Sequence, residues 1–372
     1  AEVSIDGGEV RVHQVWVALD PGQIVNPAVV EAHSTTGSVR LRDISLSRDA
    51  SGQAIGAGIQ LDFSRFMNRL VAVDSKQETV TVEPGIVLDE LNAQLHEHGL
   101  FLPLDLSTSN RATIGGMIAN NSSGTRSVVY GKTLDYVMEL TVVMSDGSVI
   151  QMRPLGSHAV RQRCSRPDFD GLCHRIARDL ATQHAEEIDQ RYPKILRRVG
   201  GYNIDALMPP GTSEAQRNMA QLLVGSEGTL AFTRRLKLRL QPIPERKVMG
   251  ICHFSSFYAA MASTQHLMKL SPDAVELVDQ TLIELALEIP LFRETLTRYV
   301  RGRPKALLLV EFSGTVAADL EHQLRDLDSL LSDLGHSDSV VRIIDPGEQR
   351  AVWDVRKAGL NIMMSMKGDG KP

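Results

Sequence analysis

The chain has 372 residues, 42% hydrophobic and 23% charged, enough apolar material for two domains with separate cores. Its net charge of −5 comes from both signs mixed along the chain, so no basic block marks a nucleic-acid partner. It has no run of about eighteen apolar residues and no basic start followed by an apolar stretch, so neither a spanning helix nor a secretory leader is expected. Cys164, Cys173 and Cys252 are scattered without a C-x-x-C pair, which argues against a disulfide framework, zinc site or iron–sulfur cluster. Buried free thiols in a cytoplasmic protein are the expectation.

In chain order, residues 1–33 read as two short strands and a turn, with Val10, Val12, Val15 and Val17 as β-formers and Asp20-Pro21-Gly22 as turn chemistry. Residues 34–51 are polar and without period, a loop or a poor strand. Leu70–Asp74 and Thr79–Glu83 alternate on either side of residues 75–78, which predicts a hairpin ended by Pro84-Gly85. A helix follows with Leu88, Leu91 and Leu95 on one face and Gly99 as its stop. Val137–Val143 reads as a strand turned by Asp146-Gly147. A long helix is expected over 170–190, with Leu172, Ile176 and Leu180 at four-residue steps as its apolar stripe. A short apolar run, 221–224, enters Gly225-Ser226-Glu227-Gly228, and Phe232–Leu240 reads as a strand. Within that strand, Arg234-Arg235-Leu236-Lys237 alternates as a solvated face. Pro242 and Pro244 mark a boundary. Beyond it come strand 248–254, helix 257–270, strand 274–278, helix 281–288 and strand 305–312. A helix carrying Leu320, Leu324, Leu327 and Leu331 and strand 339–344 follow. Strand-helix-strand stated twice is the split βαβ pattern of ferredoxin-like domains.

The sharpest motif is the run from Ala112 to Gly124, A-T-I-G-G-M-I-A-N-N-S-S-G. Gly115 and Gly116 allow close backbone approach, and consecutive free N–H groups in such a turn form an anion-attracting nest suited to a diphosphate. Thr113, Ser122 and Ser123 offer hydroxyls, and Asn121 both donates and accepts. A purely structural tight turn stands beside this reading. Pro103, Asp105, Leu106, Ser107 and Thr108 form a rigid polar loop just upstream. Gly225-Ser226-Glu227-Gly228 is a second permissive turn, able to lay backbone against a flat ring. Neither turn matches G-x-G-x-x-G, so a Rossmann site is not supported. His13, His96, His98, His253 and His266 lack metal-ligand spacing, and structural roles are expected for them.

The stretch from Val82 to Val137, with L-L-V-G-S-E-G-T-L-A-F later, closely resembles vanillyl-alcohol-oxidase-type flavoproteins, most of all FAD-linked D-lactate, glycolate and D-2-hydroxyglutarate dehydrogenases. The resemblance covers about residues 50–372. It implies an α+β chain with foreign-looking strands at 1–33, an FAD-binding domain over 34–242 and an incomplete ferredoxin-like substrate cap over 243–372. It further implies that Pro103, Ser107, Thr113, Ile114, Gly115, Gly116, Asn121, Ser122 and Gly124 hold the ADP half of FAD, with Glu227 and Gly228 nearer the ribityl chain and ring. The family reaction passes the α-hydrogen of a 2-hydroxy acid to flavin N5 as hydride, and a separate electron acceptor completes the cycle. Arg356, in V-W-D-V-R-K, matches the arginine that forks onto the substrate carboxylate; a charge on a helix surface is the plain alternative. Tyr202 and Asn203 approach the site or simply make a turn.

Three departures from the family pattern stand out. Where relatives open the FAD site with R-G-G-G-T-S-x-x-G-Q, this chain has residues 42–53, without the glycines and with Asp43 and Asp49. Residues 10–33 resemble instead a piece of a molybdenum hydroxylase large subunit. The family's distal cap, with its metal-binding histidines, is expected beyond residue 372, so no metal ligand is assigned. A truncated or chimeric non-catalytic fragment is therefore the alternative to an active dehydrogenase.

Overall fold

The computed structural model describes residues 2–6, 9–14, 63–207 and 217–364. These fall into two units, one of 1–102, 109–122 and 132–241, the other of 103–108, 123–131 and 242–372. The segment 42–53, the turn at 20–22 and the polar stretch 34–51 lie outside the described residues.

The chain opens with an antiparallel pair, β1 (Glu2–Asp6) and β2 (Glu9–Gln14), in which Val3 faces Val12 and Ile5 faces Val10. The main sheet of the first unit has, among the described residues, five antiparallel strands in the order β3-β4-β7-β5-β6. They are β3 (Leu70–Asp74), β4 (Thr79–Val82), β5 (Val137–Val143), β6 (Val149–Met152) and β7 (Phe232–Arg239). Register aligns Val82, Leu236, Leu140 and Met152 in one row across four strands. All four are buried, so alternation along each strand becomes a continuous apolar stripe across the sheet. Arg234 and Arg235 stay exposed beside buried Leu236, the solvated face expected of that strand.

The 70–83 hairpin forms as expected, with Glu78 in the left-handed region that closes it. Helix α1 (Leu88–Leu95) buries Leu88, Leu91 and Leu95, and Gly99 ends the following turn at φ 67°. Gly85 is required by contact: a Cβ there would lie 2.1 Å from the Phe63 carbonyl oxygen. Helix α2 (Ile114–Asn120) comes next, then α3 (Ser157–Cys164) and α4 (Phe169–Gln183).

The long helix expected over 170–190 is corrected on two counts. It breaks at His184, and a separate helical segment runs from Ala185 to Arg191. Its leucine stripe also points outward: Leu172, Ile176 and Leu180 are exposed, whereas Asp170, Gly171, His174, Ala177 and Ala181 are buried. Small residues permit close packing on α3, and the Asp170 carboxylate needs that face to meet the Arg163 guanidinium. The Gly171 Cβ position, 2.1 Å from the Arg166 carbonyl, shows how close the chains lie. Among the cysteines, Cys164 and Cys252 are buried free thiols, but Cys173 is only partly covered.

In the second unit, strands β8 (Arg246–Phe254), β9 (Ala274–Asp279), β10 (Ala306–Gly314) and β11 (Val340–Ile343) form a sheet in the order β9-β10-β8-β11. That is the ferredoxin-like arrangement the doubled pattern predicts. Helices α5 (Phe257–Leu267) and α8 (Ala317–Asp333) cover one face, where Leu320, Leu324, Leu327 and Leu331 pack on Val248, Cys252 and Phe312. The other face carries α6 (Gln280–Glu288), α7 (Pro290–Tyr299) and α9 (Pro346–Met364). The α7 helix was not among the expected elements; Pro290 sits in its first turn, where a missing N–H costs nothing. Gln349 ends the β8–β11 ladder by donating its amide to the carbonyls of Lys247 and Ile344 at 2.9 Å each.

Candidate functional site

The two permissive bends belong to one small construction in the first unit. The first is α2 with its ends. Thr113 caps the helix, its Oγ1 accepting from the Gly116 N–H at 3.3 Å. Asn121 closes it in the left-handed region at φ 52°. The anion nest expected at Gly115-Gly116 is not formed. The Ile114 N–H donates to the Ile86 carbonyl at 2.9 Å and the Gly115 N–H to the Pro84 carbonyl at 2.7 Å, so with the Gly116 bond all three amides are committed inside the protein. Gly115 is instead needed for packing, because a Cβ would fall 2.7 Å from the Pro84 side chain.

The second bend places Gly225, Glu227 and Gly228 at φ 82°, 50° and 74°. It is stapled to the first: the Gly225 N–H donates to Ile118 O and the Glu227 N–H to Ala119 O, each at 2.9 Å. Tyr202 and Asn203 join here, the tyrosine hydroxyl 2.7 Å from Thr229 Oγ1 and the asparagine amide donating to Val224 O at 2.6 Å. Both belong to the same construction as the bends, a placement their Gly-Gly-Tyr-Asn context left open. A groove opens between the bends, walled by Phe63, Pro84, Gly115 and Ala119 on one side and by Ser226 and Gly228 on the other. Around them Asn121 Nδ2, Ser122 Oγ and Asn203 Oδ1 are buried without a hydrogen-bond partner. At Gly228, space is open where a Cβ would stand.

Pro103, Ser107 and Gly124 belong to the second unit. Pro103 is buried and Ser107 exposed, and a Cβ on Gly124 would lie 2.1 Å from Asp105 O. The same unit holds a charge cluster that the sequence did not reveal. Arg126 grips both oxygens of Glu311, at 2.7 and 2.8 Å, and also meets Asp105. Lys247 stands 3.4 Å from Glu311, and Asp273 lies close by. Burial alone would raise the Glu311 carboxyl, but the Arg126 hydrogen bonds and charge hold it below the usual range. Burial pushes the Asp273 carboxyl up, with the Glu311 charge adding to it. Only contact between segments distant in sequence creates this cluster, so no local motif announces it.

Arg356, on α9, is partly exposed and ion-paired. Its Nε and Nη2 both reach Glu276 Oε2, at 3.0 and 2.7 Å. Among the described residues, no group of three or more His, Cys, Asp or Glu side chains is placed to hold a metal ion, and no helix is long and apolar enough to cross a membrane.

A five-stranded sheet with stapled bends, joined in one chain to a ferredoxin-like unit, defines the two-part architecture of flavin-linked oxidases. Residues 28–153 match the FAD binding domain, a match that begins inside the 1–33 stretch and runs through 42–53. Residues 243–372 match the C-terminal domain of FAD linked oxidases. The chain belongs to the FAD-linked oxidase family, among relatives of the 2-hydroxy-acid dehydrogenase type, and FAD is its cofactor. It is 30% identical over 369 residues to a D-2-hydroxyglutarate dehydrogenase of Pseudomonas putida, covering 95% of this chain and 35% of that protein. It is 28% identical to a mitochondrial D-lactate dehydrogenase [cytochrome] of Arabidopsis thaliana, covering 82% of this chain and 42% of that one. The solved structure of an alkyldihydroxyacetonephosphate synthase shares the fold, with a TM-score of 0.56 at 18% identity over 86% of this chain and 50% of that chain. The chain thus spans about a third of the length of the D-2-hydroxyglutarate dehydrogenases it matches.

Proposed function

We propose that this chain is the flavin-binding and substrate-recognising part of an FAD-dependent dehydrogenase acting on a D-2-hydroxy acid of the D-lactate, glycolate or D-2-hydroxyglutarate class. The stapling of the 225–228 bend onto α2 carries the reading, because it brings two permissive segments distant in sequence side by side. FAD held against these bends would supply the two-electron acceptor for the α-hydrogen of the substrate, which the dehydrogenase reading sends to flavin N5 as hydride.

The residues around the two bends fit such a cofactor. Asn121 Nδ2, Ser122 Oγ and Asn203 Oδ1, beside the bends but outside the lining of the groove, are polar atoms buried without partners, a costly state that hydrogen bonds to a nucleotide would relieve. Gly228 lets the backbone lie against a ring, and Glu227 holds the bend in its left-handed turn. Gly115 forms part of the wall, while Thr113, Ile114 and Gly116 anchor the start of α2 beneath it. For Pro103, Ser107 and Gly124 only the resemblance supports a cofactor role. In the second unit Arg356 is the carboxylate anchor, since a guanidinium fork matches a carboxylate in geometry and charge. We read the boundaries 34–242 and 243–372 as the cofactor and cap domains, and the free cysteines as those of a cytoplasmic protein.

The test is direct. The chain, purified and supplied with FAD, should retain a yellow flavin spectrum through gel filtration. D-lactate or D-2-hydroxyglutarate should bleach it and reduce a dye acceptor. A chain that keeps no flavin after reconstitution would sink the proposal.

A further inference from the structure

The face of the second sheet that packs on α9 presents two carboxylates as diagonal neighbours. Glu311 on β10 lies opposite Ala274, and Glu276 stands two residues further along the same strand, β9. Each receives one side chain of α9. Trp353 donates its indole N–H to Glu311, and Arg356, three residues later, gives its Nε–Nη2 edge to Glu276. The two carboxylates differ in company. Glu311 is 1% exposed and neutralised by Arg126 and Lys247, whereas Arg356 is the cation that Glu276 contacts.

We propose that Glu276 is a specificity-determining residue: as the internal counter-ion of Arg356 it weakens capture of carboxylate substrates, and of dianions more than monoanions. The inference rests on the reading of Arg356 as the substrate anchor. Two opposing effects decide the sign. Holding the guanidinium in place spares some ordering cost on binding, worth a factor of roughly two to ten. Against this, Glu276 cancels most of the charge that attracts the substrate and repels the substrate's own carboxylate. Two carboxylates on one guanidinium sit roughly 6 Å apart, and at an effective dielectric of about 40 their repulsion is a factor of about ten. A second substrate charge adds to the repulsion and leaves the ordering gain unchanged, so the electrostatic effect prevails for dianions. The 31% exposure of the Arg356 side chain lets the interaction be screened by salt.

The test uses the FAD-loaded chain and its Glu276→Gln and Glu276→Ala variants. Calorimetric titration with glutarate and propionate, which lack the reacting hydroxyl, measures capture without turnover. Both variants should bind glutarate about fivefold to tenfold more tightly than the parent, with a smaller gain for propionate. The gain should shrink as salt is raised from about 0.02 to 0.5 M. KM for D-2-hydroxyglutarate should fall with kcat within about twofold. Unchanged or weaker glutarate binding in Glu276→Gln, with the parent's melting temperature, overturns the proposal. Arg356→Gln separates the two layers. If it leaves both acids' affinities unaltered, the anchor reading itself fails; if it weakens both while Glu276→Gln has no effect, only the role of Glu276 fails.

Discussion

The indole nitrogen of Trp353 lies 2.9 Å from Glu311 Oε2, on a carboxylate that Arg126 already holds by both oxygens. Arg126 also sits over the Trp353 ring, 5.3 Å from its centroid. A segment near residue 126, the middle of the second sheet and helix α9 are thereby tied at one buried point.

Glu311→Gln keeps the shape and removes the charge, leaving Arg126 paired only with Asp105. Breaking a buried pair from one side costs roughly 3 kcal/mol. Its pH dependence has a definite sign. The folded-state value of Glu311 is lowered, so its contribution is fully present above the ordinary glutamate value of about 4.3 and is lost as pH falls through the lower folded value. Urea melts should therefore show a large deficit for the variant at pH 7 that narrows below pH 4. A constant deficit would show that the carboxylate charge is not what stabilises.

Helix α4 shows where sequence period and burial part company. Four-residue apolar steps identify Leu172, Ile176 and Leu180, yet these are the exposed side chains. The same helix packs through Ala177 and Ala181 around a charged contact, and neither small residues nor a paired aspartate register as hydrophobic pattern. Leu172→Gln, Ile176→Gln and Leu180→Gln should each shift stability by no more than about 0.5 kcal/mol. Ala181→Leu, which overfills a fully buried position, should cost about 1–3 kcal/mol. Thermal melts of the four variants decide which face is inside.

His253 is held in one tautomer. Its Nδ1–H faces the Ser339 carbonyl at 2.9 Å, and Nε2 accepts from the Arg301 N–H at 3.0 Å. Protonation at Nε2 would break the second bond. Burial lowers the folded-state value despite hydrogen bonds that act the other way. The unfolded chain consequently takes the proton first as pH falls, and stability present above about pH 6.5 is lost through that value toward the lower folded one. His174, lowered mainly by burial, acts with the same sign, so His253→Asn should reduce, and not abolish, the fall in melting temperature between pH 7.5 and 5.5. An unchanged slope would rule out His253 as a contributor.

Much of the fold was legible because its signals are local. Alternation in 70–83, the leucine spacing of α1 and the doubled strand-helix pattern after Pro242 all match elements of the structure. The site was legible only in part. Gly115 and Gly225 stand out in sequence as permissive residues, but their reasons are contacts at distance: the Pro84 side chain for one, the Gly201 carbonyl for the other. The amides expected to be free at Gly115 and Gly116 are taken by partners that no short window contains. The Arg126–Glu311 pair, 185 residues apart, lies wholly beyond such a window.

The role of the second bend can be separated from its backbone strain. Gly228 and Gly99 both have positive φ, 74° and 67°, and both face open space where a Cβ would stand. A side chain at either position carries a similar left-handed penalty, on the order of 1–2 kcal/mol. Only Gly228 lines the groove, whereas Gly99 ends the turn after α1. Gly228→Val and Gly99→Val should therefore lower the melting temperature of the flavin-free chain by similar amounts. FAD retention, read as flavin absorbance after gel filtration, should drop at least tenfold for Gly228→Val and stay near the parent for Gly99→Val. Equal retention in the two variants would mean that residue 228 does not approach the cofactor, and would remove the second bend from the flavin site.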